Sequence, residues 1–468
     1  MSRSVLPALL ALPALTLAVP AQAQEAGDVA AMRAEIARLR AQLEQLESRL
    51  STVEANGKVT TTGAAPASGS QASAAPVPVS VSPPAMATST APAKAETQVA
   101  WKGAPQWTGP GGVSFKPRGR IQFDGSVVSR PQGISEPTLG WSNGVRRAFL
   151  GVDGKFGAGL GYRFEVDFAG STPQFTDVWI TYKKGPLTFT LGHDRLTTLE
   201  DLTSDLDTSF LERAAFVGAF GFERRLGLSV KYSKGDLLAS AGIYTDDLAT
   251  LGSGVPDDSY ALDTRFVYHP KIGGVQWHLG ASAHHRELNA LATALRYRGR
   301  PGSRTTSARF VDTGLFSANA ETGYGVEFAA VRGPLHVASE AFWQNVTRPG
   351  LPDPTFFGSY AEIGYVLGGA RGYEDGSFGK IIPRNGIDKG GLGALQANLR
   401  YDWLDLNDRG VRGGTQRTLG LSMVWVPMEH VKFMADYLRV TVANTPILAG
   451  SSSDYDVDVI GLRAQYDF

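Results

Sequence analysis

The chain has 468 residues, and its 45 Lys and Arg balance 45 Asp and Glu, so no charge excess indicates nucleic acid or an anionic membrane surface as a partner. It contains no cysteine, which excludes disulfides and thiolate metal sites. Beyond the N-terminus no apolar run reaches the length of about 18 residues that a membrane-spanning helix needs. Any membrane crossing would therefore be made by strands closed into a barrel.

Residues 1–23 have the pattern of a secretory signal peptide. Arg3 supplies the positive charge, an apolar run follows it, and Ala21-Gln22-Ala23 has the small residues of a cleavage site. We therefore expect export across the inner membrane. The mature chain would then reside in the periplasm, in the outer membrane or outside the cell.

Residues 24–56 carry apolar side chains at alternating steps of three and four. This heptad predicts a short coiled coil and hence self-association, because a helix packed on a domain would carry a wider apolar stripe. A lone helix lying on the body of the protein is the alternative. The pattern does not fix the number of helices in the coil. The core positions are Val29, Met32, Ile36, Leu39, Leu43, Leu46, Leu50 and Val53.

Residues 57–112 are predicted to be a linker. Between residues 63 and 100 the sequence is rich in Ala, Pro, Ser and Thr and nearly uncharged, so this stretch cannot bury a core. We expect a disordered spacer between the coiled coil and a domain that spans residues 113–468.

That domain consists of segments with one apolar and one polar face. In one of them Leu160, Tyr162 and Phe164 alternate with Arg163 and Glu165, as side chains do on a strand. A soluble sandwich would turn the charged face to water, whereas an outer-membrane barrel turns the apolar face to lipid and lines its lumen with the charged face. Sixteen such segments begin near Arg118, Gly144, Gly159, Phe175, Leu187, Arg224, Leu237, Tyr260, Val275, Thr322, Leu335, Phe357, Ala394, Thr415, Val431 and Asp454.

The connections between these segments favour the barrel. They are short after even-numbered strands and mostly longer after odd-numbered ones, which is the arrangement of periplasmic turns and extracellular loops. The connection 368–393 breaks this rule and indicates either an overlooked hairpin or an unusual periplasmic segment. The last strand is amphipathic and ends on Phe468, similar to the signal that the barrel-assembly machinery reads. The predicted fold is all-β, a 16-stranded antiparallel transmembrane barrel.

Six stretches carry a resemblance to a known family. The chain resembles the phosphate-selective porin O/P family over residues 113–468, in RRAFLGVDGKFGAGLGYRFEVDF (146–168), GHDRLTTLEDLTSDLDTSFLERAAF (192–216), RRLGLSVKY (224–232), YAEIGYVLGG (360–369), RGYEDGSFGKIIP (371–383) and GALQANLRYDWLDL (393–406). The resemblance implies a homotrimer of sixteen-stranded barrels. It also implies that the third and fifth extracellular loops (194–222 and 287–320) and the connection 368–393 fold into the lumen. Phosphate channels of the family use an arginine ladder and a lysine cluster.

Basic side chains of the predicted wall and loops are the candidate permeation residues. Anion selectivity needs Arg or Lys at the narrowest point, and the Arg fork matches phosphate oxygens. The wall is mixed in charge, and loop 194–222 is acidic in its first half, which weakens a phosphate interpretation. Loop 287–320 would be a basic filter if it folds inward, or a surface loop near lipopolysaccharide phosphates if it does not. The candidates are Arg163, Arg213, Arg225, Lys231, Arg296, Arg298, Arg300, Arg304 and Arg400.

The sequence predicts no catalytic residue, metal site or cofactor. The glycines at 157, 159 and 161 join two strands instead of opening a helix, and His284 and His285 point to opposite faces of one strand. We therefore expect a channel and not an enzyme.

The first hypothesis is a passive, trimeric channel in the outer membrane of a Gram-negative bacterium, surrounded by lipid, for phosphate, polyphosphate or similar small anions. One alternative is a general or organic-solute porin with weak selectivity. Another is an envelope tether, in which residues 24–100 extend through the periplasm toward peptidoglycan. No nucleic-acid partner is predicted.

Overall fold

The computed structural model describes residues 97–221, 223–248, 259–289 and 293–468. The predicted signal peptide and coiled coil lie outside these ranges, as does the predicted linker up to residue 96. The remainder of the linker, 97–112, contains two short paired strands, Gln98–Trp101 and Pro105–Thr108, followed by the 3-10 turn Pro110–Gly112.

Sixteen antiparallel strands form one closed sheet. Each strand pairs with the next along the chain, and the last pairs with the first, so that Asp467 lies opposite Arg120. The predicted sixteen-stranded barrel is therefore confirmed. In chain order, strands β1 to β16 are Val113–Val128, Gly140–Gly157, Leu160–Asp167, Gln174–Lys184, Leu187–Asp194, Arg225–Lys234, Leu237–Tyr244, Tyr260–Tyr268, Val275–Glu287, Ala320–Arg332, Leu335–Thr347, Thr355–Leu367, Ala394–Asp408, Val411–Met428, Val431–Ala443 and Tyr455–Asp467.

The remaining elements are short and lie in the connections. Helices α1 (Leu199–Leu202) and α2 (Ala215–Ala219) follow β5, and a 3-10 turn spans Ile387–Lys389. Among the described residues, no helix is long and apolar enough to cross a membrane. The additional short strands are Lys271–Ile272, Ala294–Leu295, Arg298–Gly299, Val311–Asp312, Phe316–Ser317, Gly369–Glu374 and Ser377–Pro383.

Tight turns lie mostly at one end of the barrel. Gly185, Gly235 and Gly333 take positive φ angles in two-residue turns, as tight hairpins require. A two-residue turn also lies at the other end, where Arg409 and Gly410 both have positive φ. The predicted start of strand 14 near residue 415 is therefore too late, because β14 begins at Val411.

The two faces of the sheet differ as the alternation predicts. On β16, Ile460 is 53% exposed on the outer face, whereas Arg463 is 3% exposed on the inner face. The outer face thus presents apolar side chains where a barrel meets lipid, and the polar side chains line the interior. The interior also holds an apolar cluster around Phe216, Phe342 and Tyr360, where a loop packs on the wall.

Candidate functional site in the lumen

Loop L3, the connection 195–224 between β5 and β6, crosses the lumen and is held there through its backbone. Wall carboxylates accept its N–H groups. Glu340 of β11 accepts from Leu199 and Glu200 at 3.0 and 2.7 Å, at the start of α1, where helical N–H groups lack partners. Further along the loop, Asp436 accepts from Leu211 at 2.7 Å and Asp402 accepts from Ala215 at 2.9 Å.

The opposite side of L3 presents two carboxylates to wall arginines. Asp205 pairs with Arg120 of β1 and, at 3.2 Å, with Arg147 of β2. Burial alone would raise the pKa of Asp205, but attraction by Arg120 and Arg147 outweighs it and holds that pKa well below its ordinary value. Glu212 accepts from Arg146 of β2 at 2.7 Å. L3 therefore makes contacts on both sides of the barrel interior.

Arg400 of β13 links L3 to the wall from within. Its guanidinium lies 2.6 Å from Glu200 and 2.7 Å from Glu362. It also stacks on the rings of Phe210 at 4.4 Å and Tyr360 at 5.1 Å. A buried charge with two carboxylate partners and two ring faces is fully engaged in structure. This predicted permeation residue therefore holds L3 in place.

Loop L5, the connection 288–319 between β9 and β10, also lies inside the barrel. The Tyr297 hydroxyl donates to Glu321 of β10 at 2.5 Å, and Ser303 lies 2.9 Å from Ser126 of β1. Gln416 of β14 donates to the Arg300 carbonyl at 3.1 Å. Of the two placements considered for this loop, the structure shows the inward one.

L5 brings five arginines into this region. Arg296 pairs with Asp312 at 2.6 Å, and Arg300 donates to the Thr306 carbonyl at 2.7 Å. Arg298 is exposed, Arg304 has a side chain that is 45% exposed, and Arg309 donates to the Ser307 carbonyl at 2.7 Å. Within the described ranges, the carboxylates that contact this group are Asp312 and Glu212. The loop therefore carries excess positive charge.

Three of these arginines, Arg300, Arg304 and Arg309, have a pKa below the ordinary range, chiefly because of burial. Burial, followed by repulsion from neighbouring arginines, lowers the pKa of Arg300 and of Arg309 to about 10. Both pKa values lie well above neutral pH, so both groups remain charged there. The mutual repulsion shows that the arginines act on one another through a shared field.

Three predicted residues meet around one space. A small cavity of about 30 Å³ is lined by Arg213, Arg300 and Arg400. Glu212, Asp402 and Asp436 line the same space. Arg213 donates to the carbonyls of Glu200 and Thr203 at 2.8 and 2.6 Å, and burial lowers its pKa to about 10. Like Arg400, Arg213 contributes to the fold of L3.

The other six predicted residues do not line this cavity: Arg296, Arg298 and Arg304 of L5, described above, and three residues of the wall. Arg163 of β3 pairs with Asp153 at 2.6 Å and with Asp177 at 3.0 Å. Lys231 of β6 lies 3.3 Å from Asp375, and Arg225 is buried at the start of β6.

The prediction also missed two arginines that contact L3, Arg120 and Arg146. Arg120 could have been found, because Arg118, Arg120 and Gln122 alternate with apolar residues along β1. Arg146 could not, because it occupies a register shift in which Gln122 faces Arg147 and Phe123 faces Val145. Such a bulge inserts one residue into the alternation and changes the direction of the side chains around it.

The irregular connection 368–393 is explained by a hairpin inside the barrel. Its strands Gly369–Glu374 and Ser377–Pro383 pair with each other. Arg265 of β8 donates to the Gly376 carbonyl at 2.8 Å, and Arg371 donates to the Asp207 carbonyl of L3. The segment is thus both the overlooked hairpin and the inward connection that the family resemblance implied.

A closed sixteen-stranded barrel with an apolar outer face, a charged interior and inward-folded loops defines a porin of the outer membrane. The chain belongs to the family of phosphate-selective porins O and P, whose family model matches residues 115–468. A protein of Caulobacter vibrioides described as uncharacterized is 42% identical over 384 residues, covering 80% of this chain and 78% of the relative. Family and fold therefore indicate a channel and not an enzyme.

Solved porin structures are similar at low sequence identity. The trimer form of OmpT from Vibrio cholerae is 11% identical with a TM-score of 0.49, covering 76% of this chain and 99% of that one. DcaP of Acinetobacter baumannii is 14% identical with a TM-score of 0.46, covering 77% and 99%. An anion-selective porin from Comamonas acidovorans is 13% identical with a TM-score of 0.47, covering 76% and 100%. These likenesses are too distant to bear on selectivity.

Proposed function

We propose that this porin is a passive channel that prefers small anions such as phosphate, polyphosphate or similar oxyanions. The observation that carries the proposal is the inward position of L5, a loop whose five arginines are contacted by two carboxylates. An anion passing them would exchange hydration water for guanidinium N–H groups. Because several partly exposed arginines share the anion, each would bind it weakly. Weak binding permits the anion both to enter and to leave.

The arginines of L5 differ in their availability. Arg298 is exposed, and Arg304 is 45% exposed and 3.5 Å from its carboxylate partner. Arg296, by contrast, makes two close contacts with Asp312, at 2.8 and 2.6 Å. We therefore assign the filter chiefly to Arg298 and Arg304, with Arg300 beside them.

A general porin with weak selectivity is the second candidate. The observation in its favour is the pairing of wall charges, such as Arg163 with Asp153 and Arg265 with Glu327. Paired charges leave little net field for an anion. In either case we expect a homotrimer, as the family resemblance implies. Residues 24–100 would extend into the periplasm toward peptidoglycan.

The test is the zero-current potential of the purified full chain in a planar bilayer under a potassium chloride gradient, with inorganic phosphate then added. We expect an anion-selective potential and a chloride current that phosphate blocks. The double variant Arg298→Gln/Arg304→Gln should lose much of the anion selectivity and much of the phosphate block. Arg412→Gln, which removes an exposed arginine of β14 beside the turn 409–410, is the matched control and should behave as wild type.

Other outcomes would assign other functions. Weak selectivity without phosphate block would contradict the anion preference and favour the general porin. A protein that conducts nothing would favour the tether, and deletion of residues 24–100 should then impair the integrity of the cell envelope.

A further inference from the structure

Glu212 of L3 is surrounded by arginines from three different elements. Arg146 of β2 donates to it through two nitrogens, at 2.7 and 3.2 Å. Arg463 of β16 lies 3.4 Å away and Arg304 of L5 lies 3.5 Å away. Two strands of the wall and loop L5 thus each bring an arginine to one carboxylate.

Such a convergence is the geometry of an oxyanion-binding site. A guanidinium that contacts both oxygens of one carboxylate would bind two oxygens of a phosphate in the same way. Arg304 supplies further charge around it, and so does Arg463, which also donates two hydrogen bonds of 2.7 Å to Asp124. The group that occupies the site is a side chain of the protein itself.

We propose that Arg146, Arg304 and Arg463 form an oxyanion-binding site on the permeation path, and that Glu212 is a tethered occupant which the permeating anion displaces. The proposal rests on the anion preference proposed above and assigns it a substrate class. The ligand would have at least two oxygens on one centre, as in phosphate, phosphate esters or carboxylates. Because the arginines face the lumen, the headgroups of surrounding lipids have no access to them.

Displacement of Glu212 does not require L3 to leave its place. The neighbouring Leu211 N–H is held by Asp436 at 2.7 Å, and the Arg213 side chain is held by the carbonyls of Glu200 and Thr203. The backbone on both sides of Glu212 is thus anchored independently of its carboxylate. Glu212 also borders the small cavity described above.

The Glu212 carboxylate competes with permeating anions for the arginines at every pH at which the channel works. Burial would raise the pKa of Glu212, but Arg146 and Arg304 outweigh burial and hold that pKa far below its ordinary value. A permanently ionised competitor would weaken the binding of each permeating anion. Weak binding suits a channel, since a site that holds its ligand tightly would obstruct flow.

The experiment measures the block of chloride current by inorganic phosphate in bilayers containing the full chain. In Glu212→Gln we expect the half-blocking phosphate concentration to fall about tenfold, within the range typical of coupling between two ligands. Glu212→Asp keeps the charge and should remain near wild type. Glu429→Gln removes an exposed carboxylate from the turn between β14 and β15 and is the charge-matched control.

A second variant separates competition from a general loosening of L3. Adding Arg304→Gln to Glu212→Gln should reverse the gain in phosphate block if the arginines form the binding site. An unchanged or higher half-blocking concentration in Glu212→Gln overturns the proposal, as does a gain that persists without Arg304.

The outcomes also distinguish this proposal from the proposed function. If the wild type prefers anions but Glu212→Gln behaves identically, only the displacement is wrong. If the wild type shows no preference while Glu212→Gln is blocked by phosphate, the binding site stands and the proposed anion preference of the native channel fails.

Discussion

L3 and L5 enter the same lumen, but they use their charges differently. In L3 the charged groups are engaged in structure: Glu200 and Arg213 hold the loop together, and Arg400 fastens it to the wall. In L5 the loop is fastened largely by neutral groups, such as Ser303 against Ser126, and two of its arginines, Arg298 and Arg304, remain exposed. The comparison teaches that residue type alone does not separate the lumen charges that fasten a loop from those that remain exposed.

The largest effect is expected from removing the charge that fastens L3 to the wall. Arg400→Leu would leave Glu200 and Glu362 buried without their shared partner, which typically costs about 3–5 kcal/mol. We expect a lower thermal unfolding temperature. It can be measured from the heat-dependent shift in the mobility of the barrel on a gel.

Arg439→Leu is the matched control for that experiment. Arg439 also contacts two carboxylates, Asp456 and Asp458, both at 2.7 Å, but all three groups are exposed on the outer face. Exposed ion pairs contribute little to stability, because the solvent screens them. Equal shifts for the two variants would contradict the structural role assigned to Arg400.

A smaller effect is expected where a wall carboxylate accepts from the L3 backbone. Glu340→Leu removes the acceptor for the Leu199 and Glu200 N–H groups, and a buried donor left without its partner costs about 1–3 kcal/mol. Hydrogen exchange of the peptide that contains α1 should accelerate, whereas exchange in L5 should not. Acceleration in both loops would show that they are not independently anchored.

The smallest effect is expected from the carboxylate of L5 itself. Burial would raise the pKa of Asp312, but hydrogen bonds from Arg296 and the Gly314 N–H lower it below its ordinary 3.8. Asp312 is therefore ionised at neutral pH, and Asp312→Asn should free the charge of Arg296. We expect the anion-to-cation permeability ratio to rise by less than about threefold, the scale of one half-exposed pair.

The same variant has a defined pH dependence. Because the pKa of Asp312 is depressed, its ion pair with Arg296 is present above pH 3.8 and is lost only as the pH falls below that value. The difference in zero-current potential between Asp312→Asn and wild type should persist down to about pH 4 and disappear in stronger acid. A difference that vanishes near neutral pH would contradict this assignment.

Sequence reasoning located the strands because their period is local. Ile460, Leu462 and Tyr466 alternate with polar residues within one strand, so nothing beyond that strand was needed to assign its faces. The two-residue turn 409–410 was missed because Arg409 adopts a positive φ that its residue type does not indicate.

The candidate site was harder to predict because its contacts connect distant parts of the chain. The five arginines of L5 were evident in composition, but their partner Glu212 lies in another loop. Arg400 has the residue type of a filter and is instead a buried anchor, which depends on Glu200 and Glu362. Arg146 required a bulge between β1 and β2. Residue type could therefore propose the permeation groups but could not separate them from the anchors.

The pairing of β16 with β1 has a consequence for how the molecule is made. This seam joins the first and last strands of the domain. Arg463 of β16 donates two hydrogen bonds of 2.7 Å across it to Asp124 of β1. The edge of β1 that pairs with β16 therefore stays unpaired until β16 has been synthesised. An unpaired strand edge can form hydrogen bonds with other chains. Because Arg463 also approaches Glu212, the strand that closes the barrel contributes a contact to L3 as well.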